Sequence, residues 1–126
     1  MSPLSIKRMT TNLRARGAIG EGIAVEYLEK KGYRVVDRNY RYERGEIDIV
    51  AEDGDTLVFV EVKSRRSLSY GEPHESVTEK KRAQIRKVAE GYLFAKSIID
   101  RACRFDIISI VQRGPNKEIQ HFEDAF

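Results

Sequence analysis

Apolar residues recur along this chain with two different periods, and the switches between them divide it into helices and strands. From about Ala18 to Lys31 the spacing is helical, with Ala24, Tyr27 and Leu28 on one stripe and Glu26 and Glu29 outside it. Gly32 follows as a stop signal. Ile19 and Ile23 fall off this stripe, while Glu21 shares a flank with Ala24, Val25 and Leu28 at the edge of the buried face. A carboxylate favoured by the dipole at a helix start is the plain reading of Glu21. Tyr33 to Tyr40 (YRVVDRNY) reads as a strand. Gly45 to Arg66 reads as two strands joined by a turn at Asp53-Gly54-Asp55. Leu57 to Val60 is apolar on both faces, the mark of a central strand covered on both sides.

Beyond the hairpin the pattern lapses. Ser67 to Glu75, with Gly71 and Pro73, is expected to be a loop. Ser76 and Glu79 match a capping box and open a second helix to about Lys96, with Ile85, Val88, Ala89 and Tyr92 as its buried stripe. Arg104 to Val111 and Asn116 to Phe122 supply a fourth and a fifth strand through a Gly114-Pro115 turn. The first sixteen residues are expected to form a flexible basic arm, and residues 17–126 a single domain. Helix, three strands, helix, two strands is an α/β order: a central mixed sheet of about five strands flanked by helices.

Composition narrows the chemistry. Of 126 residues one is cysteine, Cys103, and two are histidines, which excludes an internal disulfide and a cysteine or histidine-rich metal site. Any metal to expect is therefore hard and oxygen-ligated, Mg²⁺ or Mn²⁺. No run approaches the ~20 apolar residues of a membrane span and no signal-peptide core is present, so a cytoplasmic protein with no membrane partner is expected. The net charge of +3 says little. The basic residues, however, fall in groups on either side of the central hairpin, as on a surface that follows phosphates. Any one group taken singly reads first as a solvated, salt-laced exterior.

Candidate chemistry lies in the hairpin. Centring the turn on Gly54 brings Asp48 opposite Glu61, give or take one residue, while Glu61 and Lys63 share a face. Two carboxylates and a lysine would converge where a buried strand emerges, the set that metal-assisted phosphodiester cleavage needs. An internal Glu61–Lys63 salt bridge is the alternative reading. Lys80 and Lys81, in the first turn of the second helix, oppose its dipole; a bound phosphate would account for them, and so would surface solubility. Asp106, in an otherwise apolar strand, is expected to pair with Arg104 or a neighbouring arginine.

Gly20-Glu21, then Gly45-Glu46-Ile47-Asp48, then Phe59-Val60-Glu61-Val62-Lys63 resemble the PD-(D/E)-x-K nuclease core. More closely, the chain resembles the YraN-like family of predicted bacterial endonucleases, which are similar to archaeal Holliday junction resolvases. The resemblance covers nearly everything after Arg16 and extends to Tyr70-Gly71, Ser76-Val77-Thr78, Cys103 to Asp106 and His121 to Phe126. Ile47 stands where the signature has proline. The resemblance implies a restriction-endonuclease-like three-layer fold and a metal-dependent endonuclease acting on DNA, branched or junction DNA included. By position, Glu21, Asp48, Glu61 and Lys63 match the catalytic residues. Asp48, Glu61 and the Val62 carbonyl would hold Mg²⁺ or Mn²⁺, Glu21 would complete the shell, and Lys63 would orient the attacking water. Arg44, Arg65, Arg66, Tyr70, Lys80 and Lys81 are the expected nucleic-acid contacts, and a homodimer the expected assembly. The alternatives are a non-catalytic nucleic-acid-binding module on the same fold and a scaffold that binds protein through its sheet edge.

Overall fold

Unbroken burial along the central strands, at residues 57–61 and 106–111, makes a sheet that needs cover on both faces, and two helices supply it. The computed structural model describes residues 3–65 and 77–126, with side chains from Gly17 onward except that of Arg113. Its elements are α1 (Pro3–Lys30), β1 (Arg34–Tyr42), β2 (Gly45–Asp53), β3 (Thr56–Arg65), α2 (Glu79–Ala95), β4 (Cys103–Arg113) and β5 (Asn116–Phe122). The strands lie in the order β1-β2-β3-β4-β5, parallel between β3 and β4 and antiparallel elsewhere. α2 is the crossover that the parallel pair requires.

The two faces have separate cores. On one, Ile47, Val50, Leu57 and Phe59 pack with Ile85, Val88, Ala89 and Tyr92 of α2. On the other, Ile49, Ala51, Val58 and Val60 pack with Ala24 and Leu28 of α1. The chain is thus a three-layer α/β/α fold. Gly45 and Gly91 permit the close fit of α2: a Cβ on Gly45 would meet Val88 Cγ2 at 2.4 Å, and one on Gly91 would meet the Tyr42 ring at 2.7 Å.

Two helix starts differ from expectation. α1 begins at Pro3 rather than near Ala18 and takes in the backbone of the segment expected to be an arm. Proline is suited to the first helical position because its missing N–H has no partner to lose there, and no other proline interrupts the stretch before Gly32. At α2 the cap is Thr78, not Ser76: the Thr78 hydroxyl accepts from the Lys81 N–H at 3.3 Å, which makes Glu79 the first helical residue. Ser76 and the expected Ser67–Glu75 loop lie outside the described residues. The Gly32 stop is observed, with φ +98° and the Tyr33 N–H bonded to the Leu28 carbonyl at 2.9 Å. No helix among the described residues is long and apolar enough to cross a membrane.

Candidate functional site

The sheet opens between β2 and β3. β2 and β3 pair from the turn only as far as Ile49 and Val60. Beyond that point β2 stays with β1 (Tyr40 with Ile47, Tyr42 with Gly45), and β3 stays with β4 as far as Arg65 and Val111. β2 also breaks its alternation here. Ile47 packs on the α2 side and Ile49 on the α1 side, although residues two apart in a regular strand share a face. Across from this twist, between Arg38 and Tyr40, Asn39 takes φ +51°, a left-handed conformation that asparagine tolerates.

Asp48 occupies the twist. Its carboxylate accepts the Val62 N–H at 2.8 Å, replacing the ladder bond lost where the strands part. It lines two clefts: a groove of about 1410 Å³ on the α1 side with Glu21, Val62, Lys63 and Arg65, and a smaller one of about 180 Å³ with Arg44, Glu46, Glu61 and Lys81. Burial, and after it the neighbouring Glu61, push the Asp48 carboxyl up to about 7; the Val62 N–H opposes this, and Glu21 and Glu46 add to it. The fold thus concentrates negative charge in a place poor in water.

Glu61 is buried at 8 % exposure and shares the α2-facing side of β3 with Phe59. One of its oxygens meets two ammonium groups, Lys81 Nζ at 2.8 Å and Lys63 Nζ at 3.5 Å. The plain salt-bridge reading of Glu61 and Lys63 therefore has a contact behind it, and Lys81 makes a shorter one. Burial, joined by Lys81, holds Lys63 below the ordinary lysine range despite Glu61. Burial also opposes charge on Lys81, but the bonds to Glu61 and Lys63 outweigh it and its pKa is raised.

Glu21 approaches from α1. Gly20 beside it lets the helix lie against Ser64 of β3, whose Cβ would stand 3.3 Å from an added one. Arg38 Nε is 3.8 Å from Glu21 Oε1, an ion pair too long for a hydrogen bond. That buried oxygen has no hydrogen-bond partner among the described residues. Burial raises the Glu21 pKa, with Arg38 opposing and Glu46 reinforcing.

The four residues singled out for catalysis thus border one opening from three elements. Of the expected nucleic-acid contacts, Arg65 lines the large groove, Arg44 the small cleft, Lys80 is exposed, and Lys81 is turned inward onto Glu61. Arg66 and Tyr70 lie outside the described residues. Glu46 and Arg38 were not singled out from sequence. Regular alternation puts Glu46 two positions before Asp48 and could have found it; Arg38 carries no such signal. Asp106 pairs with Arg104 as expected, at 2.9 Å, and also with His121 at 2.7 Å, so its burial is compensated within the fold.

Among the described residues, no three Asp, Glu, His or Cys side chains are gathered tightly enough to hold a metal ion by themselves. A hard dication such as Mg²⁺ does not need three, since it is commonly held by one or two carboxylates together with water and substrate phosphate. The adjacent carboxylates of Asp48 and Glu61, and the orphaned Glu21 oxygen nearby, are the donors such an ion takes.

The model of the uncharacterised protein family UPF0102 matches residues 20–110. A UPF0102 protein of Chlorobium phaeobacteroides is 45% identical over 94% of this chain and 98% of its own. One of Syntrophus aciditrophicus is 47% identical over 96% and 94%, and one of Persephonella marina 50% identical over 88% and 92%.

Proposed function

The chain belongs to the uncharacterised protein family UPF0102, and we propose that it is a metal-dependent endonuclease that hydrolyses phosphodiester bonds of DNA. The observation that supports this reading is the parting of β2 and β3, which leaves the half-buried Asp48 carboxylate beside Glu61 with Lys63 two residues along. Asp48, Glu61 and the Val62 carbonyl would hold Mg²⁺ or Mn²⁺. When bound, such an ion neutralises charge on the phosphate and lowers the pKa of water.

The protein's own groups do the rest. Asp48 is fixed by the Val62 N–H, so its free lone pairs are aimed into the opening. Lys63, half-buried, stays near Glu61 and can donate to a phosphate oxygen as charge builds on it in the transition state. Glu21 adds a further acceptor from the α1 side, able to orient a water molecule. Arg65 and Lys117 on the wall of the large groove supply positive charge along the path of a phosphate backbone. The groove lies beside the split, so a strand lying in it would bring a phosphodiester to Asp48. A homodimer would bring two such sites to a branched substrate and make symmetric cuts.

One observation favours a second reading, a non-catalytic nucleic-acid-binding module: Glu61 is already neutralised by two lysines. A panel of labelled substrates separates the two. Four-way junction, flap, duplex, single strand and RNA are incubated with Mg²⁺ or Mn²⁺, and in parallel with EDTA. Cuts in metal and none in EDTA are expected for the nuclease, with DNA preferred; binding without cuts in any lane makes the module the better account.

A further inference from the structure

Lys81 stands apart from the other basic residues of α2. It is the third residue of the helix, where a cation opposes the dipole, and it is held in place from below. Its N–H is bound by the Thr78 cap at 3.3 Å, Arg82 Nε donates to the Val77 carbonyl at 2.8 Å, and Val77 is buried in the α2-side core. From that base the side chain enters the small cleft between Arg44, Glu46, Asp48 and Glu61. Its ammonium ends 2.8 Å from Glu61, nearer than Lys63 to the same oxygen. Lys80, one residue earlier, is exposed.

Resting on the nuclease reading, we propose that Lys81 is a displaceable occupant of the divalent-ion position: its ammonium neutralises Glu61 in the ion-free protein and must leave that oxygen when an ion is bound. The Glu61 oxygen that Lys81 holds already meets a second ammonium, that of Lys63, so a dication there would be the third cation on one oxygen, and repulsion among the three drives the more flexible contact off. The flexible four-carbon stem of lysine allows departure without moving the helix. Once released, the ammonium stands at the mouth of the opening, where a substrate phosphate can replace Glu61 as its partner. Lys81 is thus a positioning residue that couples ion entry to phosphate binding, and it lowers the site's affinity for ions when no substrate is present.

The test is Mn²⁺ affinity by isothermal titration of the full chain without nucleic acid, with Asp48→Ala to identify heat from this site. Lys81→Ala is expected to bind Mn²⁺ roughly tenfold more tightly than the parent. Lys81→Arg, whose planar fork grips a carboxylate in two places, is expected to bind it more weakly. Lys80→Ala removes the same charge one residue away and is expected to stay near the parent. Opposite shifts in the two Lys81 variants are not what a folding defect produces. Unchanged or weaker binding in Lys81→Ala overturns the inference while leaving the metal site standing, as does equal tightening in Lys80→Ala, which would mark a general field effect. Absence of Asp48-dependent binding in every variant overturns the metal reading, and this inference with it.

Discussion

With its carboxyl pushed up to about 7 from an ordinary 3.8, Asp48 opposes the stability of the protein that carries it. The folded state holds this proton more tightly than the unfolded chain does. Near pH 4 and below, the residue therefore costs the fold little; the penalty grows as pH rises and is complete above about 7. One pKa unit corresponds to about 1.4 kcal/mol, so the full effect is on the order of 4 kcal/mol at pH 8. Asp48→Asn is accordingly expected to raise the ion-free stability by roughly 2–4 kcal/mol at pH 8 and by much less at pH 4. Urea unfolding in EDTA at the two values checks it, and an equal effect at both would remove burial of charge as the cause. A carboxylate retained at such a cost is consistent with the proposed site. At this scale much was legible. Strand alternation and the Gly54 turn placed Asp48 opposite Glu61 to within a residue, and the two are neighbours, although the ladder ends one step earlier at Ile49 and Val60. Lys81 was visible as a candidate phosphate contact at the start of α2 but not as a partner of Glu61, because that contact depends on how α2 docks, which no local period records.

The elements reach the site through close approaches that glycine permits. Gly45, at the start of β2, lies under α2, and a methyl group there would drive into Val88. Gly45→Ala is expected to destabilise by about 1–3 kcal/mol, as overpacking does. Gly22, inside α1, has nothing within 4 Å of an added Cβ. Gly22→Ala should therefore stabilise by about 0.5–1 kcal/mol through helix propensity alone. Denaturant midpoints of the two variants should move in opposite directions; a common direction would contradict the packing described. The buried stripes of α2 and the runs of β3 and β4 were readable because each presents a sustained period. The start of α1 was not: Ile6, Met9 and Leu13 stand at helical spacing, but they are set among Ser, Thr, Lys and Arg residues, and composition of that kind reads as an arm even where the backbone is helical. The α2 cap was misplaced because Ser76 and Thr78 are both capping residues, and only the observed Thr78–Lys81 bond chooses between them.

Among the described residues the molecule is a covered sheet that opens between β2 and β3, where two helices on opposite faces can both contribute. The mixed sheet flanked by helices followed from the sequence of periods and its three-layer form from the resemblance, whereas the twist at Asp48, with Ile47 and Ile49 on opposite faces, is a break in period that a sequence pattern smooths over. Basic residues line both clefts at the opening, so duplex DNA affinity should fall at least about tenfold between 50 and 200 mM salt, as release of counterions dictates. A salt-independent affinity measured by fluorescence anisotropy would show that these residues do not meet phosphates.

The most direct measurement is the cleavage rate of a labelled four-way junction in Mg²⁺ or Mn²⁺ by the parent, Asp48→Ala and Lys63→Ala, prepared identically and compared for folding by circular dichroism. The account predicts cutting by the parent and rates at background for both folded variants. Cutting by Asp48→Ala at the parent's rate would contradict it.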